Sequence, residues 1–164
     1  MRSSVIELTV NDEPQEFLAA PGSTLLSALR DTLGVTSPKR GCAQGTCGTC
    51  TVLLDGEPVM ACLIPVETVD GAAVRTLEGV AAPDGTLDEV QAAFLEGFAT
   101  QCGFCTAGMI MAAEALLAAN PDPTREDVVR AISGNVCRCT GYELIITAIL
   151  DAAARRRAAA EVTA

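Results

Sequence analysis

The chain has 164 residues, 49% of them hydrophobic and only 3% aromatic, so aliphatic side chains must fill the core of one or two small domains. Its net charge of −10 argues against nucleic-acid binding, which requires a basic surface. The absence of histidine excludes Ser–His and Cys–His nucleophiles, histidine-ligated zinc and Rieske-type clusters. The eight cysteines therefore stand out as the one concentrated group of potentially reactive or metal-binding side chains.

Short strands are predicted for the first half of the chain. The alternation of Val5–Val10, the turn residues Asn11-Asp12 and the apolar pair Phe17-Leu18 indicate a β-hairpin. A helix is predicted over Thr24–Leu33, and Gly34 can end it. The remaining predicted elements of this half are a Gly/Cys-rich loop over Gly41–Cys50, a hairpin of Thr51–Leu54 and Pro58–Leu63 that turns at Asp55-Gly56, and a strand over Val74–Leu77.

Helices are predicted for the second half, after a linker over Glu78–Gly85. They span Leu87–Ala99, Gly108–Ala119, Arg125–Ser133 and Glu143–Ala154. Thr86 with Glu89 is a capping-box pattern that opens the first of these helices, and Thr124 with Asp127 opens the third. We therefore predict an α+β protein with a β-rich domain over residues 1–79 and a helical domain of about four helices over residues 80–164.

The residues near the two ends of the chain are interpreted from their composition. The start, Met1-Arg2-Ser3-Ser4, is not followed by an apolar segment typical of a secretory signal, and no apolar run is long enough to span a bilayer. A cytoplasmic location is therefore expected, where clustered cysteines are more often metal ligands than disulfides. The run Arg155-Arg156-Arg157 is interpreted as a frayed, solvated helix end rather than a basic binding patch.

The first four cysteines have the spacing of a plant-type [2Fe–2S] site. Cys42, Cys47 and Cys50 follow the pattern C-x4-C-x2-C, and Cys62 lies downstream. The predicted hairpin after Cys50 would return Cys62 to its side. Zinc modules usually present two close cysteine pairs, which this spacing does not provide, so an iron–sulfur cluster is favoured over zinc. Lys39 and Arg40, just before the loop, are interpreted either as electrostatic support or as ordinary surface charges.

The second four cysteines form two close pairs. Cys102 and Cys105 have the spacing C-x2-C, and Cys137 and Cys139 have the spacing C-x-C. Two antiparallel helices lie between the pairs, and at about 1.5 Å per residue they would bring both pairs to one end of a helical hairpin. Each pair also precedes a helix, whose N-terminus favours an anionic group. Spacing alone leaves both zinc and one [2Fe–2S] cluster open here.

Three segments together resemble the iron–sulfur subunit of the xanthine dehydrogenase/aldehyde oxidase family of molybdenum hydroxylases, which includes the small subunit of bacterial carbon monoxide dehydrogenase. The resemblance covers nearly the whole chain, from about Val5 to Ala154. Any one of the segments would be a weak signal, but their occurrence in this order is specific. They are Gly41–Val52 (GCAQGTCGTCTV), Gln101–Thr106 (QCGFCT) and Gly134–Tyr142 (GNVCRCTGY).

The resemblance implies a β-grasp, ferredoxin-like domain followed by a helical-bundle domain, each holding one [2Fe–2S] cluster. It assigns one cluster, nearer a subunit that binds FAD, to Cys42, Cys47, Cys50 and Cys62. It assigns the other, nearer a large molybdopterin-binding subunit, to Cys102, Cys105, Cys137 and Cys139. Gln101 and Cys139 are expected to approach the pterin, whereas Arg138 and Tyr142 are expected to be structural. The complex implied is a dimer of heterotrimers.

The function implied is the transfer of single electrons from the molybdopterin centre to FAD, with no substrate chemistry on this chain. Ala107 departs from the family, which usually has proline at this first turn of a helix, so a slightly softer turn is expected. The alternatives are a free ferredoxin-like carrier, a zinc-stabilised interaction module, and a reductase built on the same scaffold. The mean hydropathy of +0.34 favours burial against partner subunits over a free carrier.

Overall fold

The computed structural model describes residues 3–163 as a mixed α+β fold. Met1, Arg2 and Ala164, which are the extreme ends of the two predicted domains, lie outside the described residues. Within residues 3–163 the chain forms one five-stranded sheet and five α-helices. None of the helices in this range combines the length and the hydrophobicity that crossing a membrane requires.

The sheet has the strand order β2-β1-β5-β3-β4. The strands are β1 (Ser4–Val10), β2 (Glu13–Ala19), β3 (Thr51–Leu54), β4 (Glu57–Met60) and β5 (Ala73–Arg75). Both predicted hairpins are confirmed, because β1 pairs antiparallel with β2 and β3 pairs antiparallel with β4. Asn11 and Asp12 turn the first hairpin with φ angles of 51° and 67°, the left-handed backbone of a tight two-residue turn. β5 lies parallel to β1 and antiparallel to β3, so it joins the two hairpins into one sheet.

The predicted first helix is short and changes its winding. Thr24 caps α1 (Leu25–Ser27) by accepting a hydrogen bond from the Ser27 N–H, and the chain continues as a π-helical turn over Ala28–Thr32. Its apolar side packs on the sheet, with Leu25, Leu26 and Leu29 almost completely buried. This helix and the sheet bury the core of the first half of the chain.

The other helices are α2 (Glu89–Glu96), α3 (Thr106–Ala119), α4 (Arg125–Ala131) and α5 (Glu143–Thr163). The predicted start of α2 at Leu87 was wrong, because Asp88 and Gln91 form the capping box instead of Thr86 and Glu89. The capping box of Thr124 with Asp127 is confirmed at α4. These helices bury a second core, and Leu53, Val80 and Met111 form a small apolar cluster where the helices meet the sheet.

The interpretation of the arginine run as a frayed helix end was wrong. α5 continues through it, and each arginine forms ion pairs with acidic side chains of other elements. Arg155 pairs with Glu96 at 2.7 Å, and Arg157 pairs with Asp122 at 2.8 Å. Arg156 pairs with Asp88 at 2.6 Å and with Glu114 at 2.7 Å. The run therefore fastens the end of α5 to α2, to α3 and to the turn before α4.

Candidate iron–sulfur centres

The loop that carries the first three cysteines folds around the sulfur of Cys42. The backbone N–H groups of Gln44 and Thr46 point at Cys42 Sγ, with nitrogen–sulfur distances of 3.5 and 3.3 Å. Gly45 adopts a φ of +75°, and a Cβ at this position would overlap the side chain of Leu63. Glycine therefore lets the loop bend under Leu63 while its amides remain directed at the sulfur.

The hairpin β3–β4 returns Cys62 to the side of Cys50. Thr51 pairs with Met60 in the strand register, and the Ala61 N–H donates to the Cys50 carbonyl oxygen at 3.3 Å. Cys50 and Cys62 are both buried, with 2% and 8% of their surface exposed, whereas Cys42 and Cys47 are partly exposed. One side of the first cysteine group thus faces the core and the other faces outwards.

The second cysteine group lies beside the N-terminal ends of α3 and α5. Cys105 occupies the N-cap position of α3, and Cys137 and Cys139 lie in the turn before α5. Cys102 Sγ and Cys139 Sγ are 3.7 Å apart and both side chains are exposed, while Cys105 is buried. The helical hairpin therefore brings the two cysteine pairs together, as the element lengths predicted.

The hydrogen-bond contacts between sulfurs join them in pairs within each group of four. Cys42 pairs with Cys47 and Cys50 with Cys62 in the first group, and Cys105 pairs with Cys137 and Cys102 with Cys139 in the second. Across residues 3–163, no three cysteine or carboxylate side chains converge on one point as the ligands of a single ion would. Two sulfur pairs per site match the need of a two-iron cluster, in which each iron takes two thiolates.

Within each site, hydrogen bonds lower the pKa of one thiol and burial raises the pKa of another. A hydrogen bond from the Thr46 side chain and the amides of Gln44 and Thr46 lower the pKa of Cys42 to about 5. Burial raises the pKa of Cys50 and of Cys105 to about 12. Burial also acts on Cys137, but the Thr140 hydroxyl and neighbouring amides outweigh it and lower its pKa. Each site therefore combines a thiol whose hydrogen bonds favour the thiolate with a buried thiol that needs the positive charge of a metal to ionise.

A hydrogen bond joins the two cysteine loops directly. The Val136 N–H donates to the Cys47 carbonyl oxygen at 2.9 Å, and Val136 is the residue before Cys137. Beside it, the buried Asn135 donates through Nδ2 to the Gly48 carbonyl oxygen at 2.9 Å and to the Thr51 hydroxyl at 3.2 Å. A Cβ at Gly48 would overlap the Gly134 carbonyl oxygen, so glycine here allows the two backbones to touch.

Comparison with known proteins accounts for both sites. A family model described as a 2Fe-2S iron-sulfur cluster binding domain matches residues 8–75, and one described as a [2Fe-2S] binding domain matches residues 76–150. The nicotinate dehydrogenase small FeS subunit of Eubacterium barkeri is 46% identical over 94% of this chain and 98% of its own length. The xanthine dehydrogenase iron-sulfur-binding subunit of Escherichia coli O157:H7 is 45% identical, over 89% of this chain and 92% of its own.

The chain belongs to the iron–sulfur subunits of the xanthine dehydrogenase/aldehyde oxidase family. The crystal structure of quinoline 2-oxidoreductase from Pseudomonas putida 86 contains a chain of the same fold, with a TM-score of 0.91 and 44% identity. The match covers 96% of this chain and 98% of that one. This iron–sulfur subunit therefore carries two [2Fe–2S]-binding domains, and its eight cysteines fit two clusters in the paired arrangement described above.

The structure brings together the residues that the sequence grouped around the second site. Gln101 and Cys139 are both exposed, and Cys139 contacts Cys102, which follows Gln101 in the chain. The predicted pterin contacts thus share one exposed surface. Tyr142 accepts a hydrogen bond from the Cys137 N–H at 2.8 Å, which agrees with its expected structural role. Ala107 is buried in the first turn of α3, which remains helical without the usual proline.

Sequence reasoning missed the polar residues that support the sites. Asn135 lies two residues before Cys137 and Thr140 directly follows Cys139, and the sequence analysis assigned neither of them a role. Their position in the sequence could have indicated this role, because short polar side chains close to cysteines can reach nearby backbone groups and sulfurs. Lys39 and Arg40 also have specific partners, since Lys39 donates to the Thr36 carbonyl oxygen and Arg40 pairs with Asp31 at 2.6 Å.

Proposed function

We propose that this chain is the electron-transfer subunit of a molybdenum hydroxylase complex. The proposed ligands are Cys42, Cys47, Cys50 and Cys62 for the first cluster and Cys102, Cys105, Cys137 and Cys139 for the second. When bound, these clusters supply one-electron transfer between a molybdopterin on a large partner subunit and FAD on a medium partner subunit. The family membership and the paired sulfurs support this assignment.

The proposed architecture follows the same resemblance. We propose a β-grasp domain over residues 1–79 and a helical-bundle domain over residues 80–164, assembled with the partners as a dimer of heterotrimers. The parallel pairing of β1 with β5 and their packing on α1 support the β-grasp. A cytoplasmic location is proposed as well, because eight free cysteines arranged as ligand pairs suit a reducing compartment.

The observation that carries the proposal is the direct hydrogen bond between the two cysteine loops. Val136 directly precedes Cys137 in the chain, and its N–H donates a hydrogen bond of 2.9 Å to the carbonyl oxygen of Cys47. Both ends of this connection are candidate ligand residues of different clusters. Such a contact suits an electron relay, because it connects the two candidate sites through the backbone.

The surface beside the second site supports docking of the large subunit. Gln101 and Cys102 are exposed, and three exposed apolar residues lie near them in the sequence: Leu95, Phe98 and Phe104, exposed by 68%, 77% and 46%. Phe98 also holds a φ of 51°, which is unfavourable for an aromatic residue. Exposed aromatic side chains next to a redox site suit burial against a partner. We therefore propose that this surface, with Gln101 and Cys139, faces the molybdopterin.

The test is to express the chain with its neighbouring reading frames and to purify it without reducing agents or chelators. The proposal expects about four irons per chain, two distinct iron–sulfur EPR signals after reduction, and co-purification of a flavin chain and a large molybdenum chain. A colourless, zinc-loaded chain would refute the cluster assignment. A chain that holds both clusters but stays monomeric when it is expressed together with those partners would instead identify a free two-cluster carrier.

A matched pair of variants tests the docking surface. Phe98→Ser should weaken co-purification of the large chain while the iron content stays unchanged, because the Phe98 side chain is 77% exposed and is not a proposed ligand. Val5→Ser is the control, since Val5 is exposed by 60% on the sheet, far along the chain from the second site. Equal loss of the large chain in both variants would contradict the proposed position of the interface.

A further inference from the structure

The hydroxyl group of Thr140 is aimed at a sulfur of the second site. Thr140 Oγ1 donates to Cys137 Sγ at 3.1 Å, and the Tyr142 N–H donates to Thr140 Oγ1 at 3.2 Å. A threonine hydroxyl has one hydrogen to donate and two lone pairs that can accept. Because the oxygen accepts from Tyr142, its orientation is fixed and its hydrogen is directed to the sulfur.

Tyr142, the only tyrosine of the chain, completes a clamp around Cys137. Its Oη accepts from the Cys137 N–H at 2.8 Å, so Cys137, Thr140 and Tyr142 are linked by three hydrogen bonds within six residues. Tyr142 adopts a φ of 69°, a backbone conformation that is unfavourable for non-glycine residues, and its ring packs against the helical core. The surrounding structure thus holds this residue in a strained conformation, in which its N–H donates to the Thr140 hydroxyl and keeps it in place.

We propose that Thr140 tunes the reduction potential of the second [2Fe–2S] cluster, with Tyr142 as the residue that positions it. The inference rests on the proposed cluster occupancy. One-electron reduction of a cluster adds negative charge that spreads onto its thiolate ligands, and no bond to Thr140 is made or broken. A hydroxyl that donates to the Cys137 thiolate stabilises the reduced state more than the oxidised state, because the sulfur is then more negative. Thr140 therefore raises the potential of the second cluster and makes it a stronger electron acceptor.

A neighbouring threonine provides a matched comparison. Thr106 opens α3 next to Cys105, and its hydroxyl pairs with that of Thr100 at 3.1 Å. Valine has the same shape as threonine, so Thr106→Val removes a hydroxyl group close to the same site without changing the packing. It leaves the Thr140–Cys137 hydrogen bond in place. A general change of packing near the second site would affect both threonines, whereas potential tuning requires Thr140.

The experiment is an EPR-monitored redox titration of the purified, cluster-loaded complex. Thr140→Val should lower the equilibrium constant for reduction of the second cluster by roughly three- to tenfold, where tenfold corresponds to about 59 mV for one electron. Thr140→Ser keeps the hydroxyl and should restore the potential, and Thr106→Val should leave it unchanged. If Thr140→Val fails to assemble, Thr140→Ala makes the same deletion with a smaller side chain.

The outcomes separate this inference from the proposed function. Two EPR signals with unshifted potentials in Thr140→Val would refute the role of Thr140 and leave the two clusters established. An equal shift in Thr140→Val and Thr140→Ser, or in both clusters, would show a structural effect and would also refute it. A wild-type chain without iron would refute the proposed function itself.

Discussion

Arg156 is the residue whose loss should destabilise the helical half most through electrostatics. Its guanidinium lies 2.6 Å from Asp88 and 2.7 Å from Glu114, and its Nε lies 3.6 Å from Glu89. The substitution Arg156→Met keeps most of the aliphatic stem but removes the cation. Asp88 and Glu114 would then face each other without a countercharge, although Asp88 would still cap α2 through its other oxygen.

The size of the effect follows from how much of each side chain is exposed. Arg156 is 29% exposed, and its two nearest carboxylates, on Asp88 and Glu114, are 15% and 9% exposed. Breaking a fully buried pair costs about 3–5 kcal/mol, and an exposed pair contributes about 0–1 kcal/mol. The partly buried network at Arg156 should therefore lose about 2–3 kcal/mol on substitution. At about 2–4 °C per kcal/mol for a chain of this size, the unfolding temperature should fall by roughly 5–10 °C.

The control is Arg157→Met, one residue further along α5. Arg157 pairs with Asp122, but the two side chains are 39% and 77% exposed, so this loss should cost less than about 1 kcal/mol. Scanning calorimetry of the cluster-loaded protein at one scan rate compares the two variants directly. Equal unfolding temperatures for Arg156→Met and Arg157→Met would show that burial of the network adds nothing, and would refute the reasoning.

Three further substitutions test other parts of the structure. Burial and the nearby Asp88 raise the pKa of Glu114 to about 7, so stability should fall as pH rises from 4.5 towards 7, and Glu114→Gln should flatten that profile in calorimetry. Gly48→Ala should deplete iron from the first cluster because its Cβ would overlap the Gly134 carbonyl oxygen, whereas Gly56→Ala, equally left-handed but in open space, should retain iron, and equal iron contents would contradict this. Asn135→Ala removes a buried hydrogen bond to the Gly48 carbonyl oxygen, which keeps the Thr51 N–H and hydroxyl as donors, and should cost about 0.5–1.5 kcal/mol. It should also weaken the spin–spin splitting between the reduced clusters, and an unchanged splitting would exclude Asn135 as the residue that holds the loops together.

Local patterns predicted the elements because each pattern has a local physical cause. The turn Asn11-Asp12 and the capping box of Thr124 with Asp127 depend on residues within one turn, and both are present in the structure. The start of α2 was predicted two residues early because Thr86 with Glu89 and Asp88 with Gln91 compete as caps. Asp88 is favoured in the fold, where its second oxygen also binds Arg156, a contact that the sequence does not reveal.

Long-range contacts set the limit of sequence-based reasoning. The spacing of the cysteines predicted the return of Cys62 through a short hairpin, and the structure has that hairpin. The pairing of the two cysteine loops could not be predicted, because Asn135 and Gly48 are 87 residues apart and neither has a distinctive pattern. The ion pairs of the arginine run were missed for the same reason, since the partners lie on other helices.

The contact between the two halves explains why small and polar residues lie between the cysteine groups. A Cβ at Gly108 would overlap the Gly48 carbonyl oxygen, so any larger residue would push α3 away from the first cysteine loop. Close approach leaves the Gly48 carbonyl buried, and Asn135 joins the Thr51 N–H and hydroxyl in donating to it, as such a group requires. The same approach brings the Val136 N–H within hydrogen-bond distance of Cys47. One arrangement therefore has three consequences. The backbones pack closely, the buried carbonyl is hydrogen-bonded, and the two sites are connected. An electron relay needs that arrangement to be rigid, because the rate of electron transfer falls steeply as the distance between its centres increases.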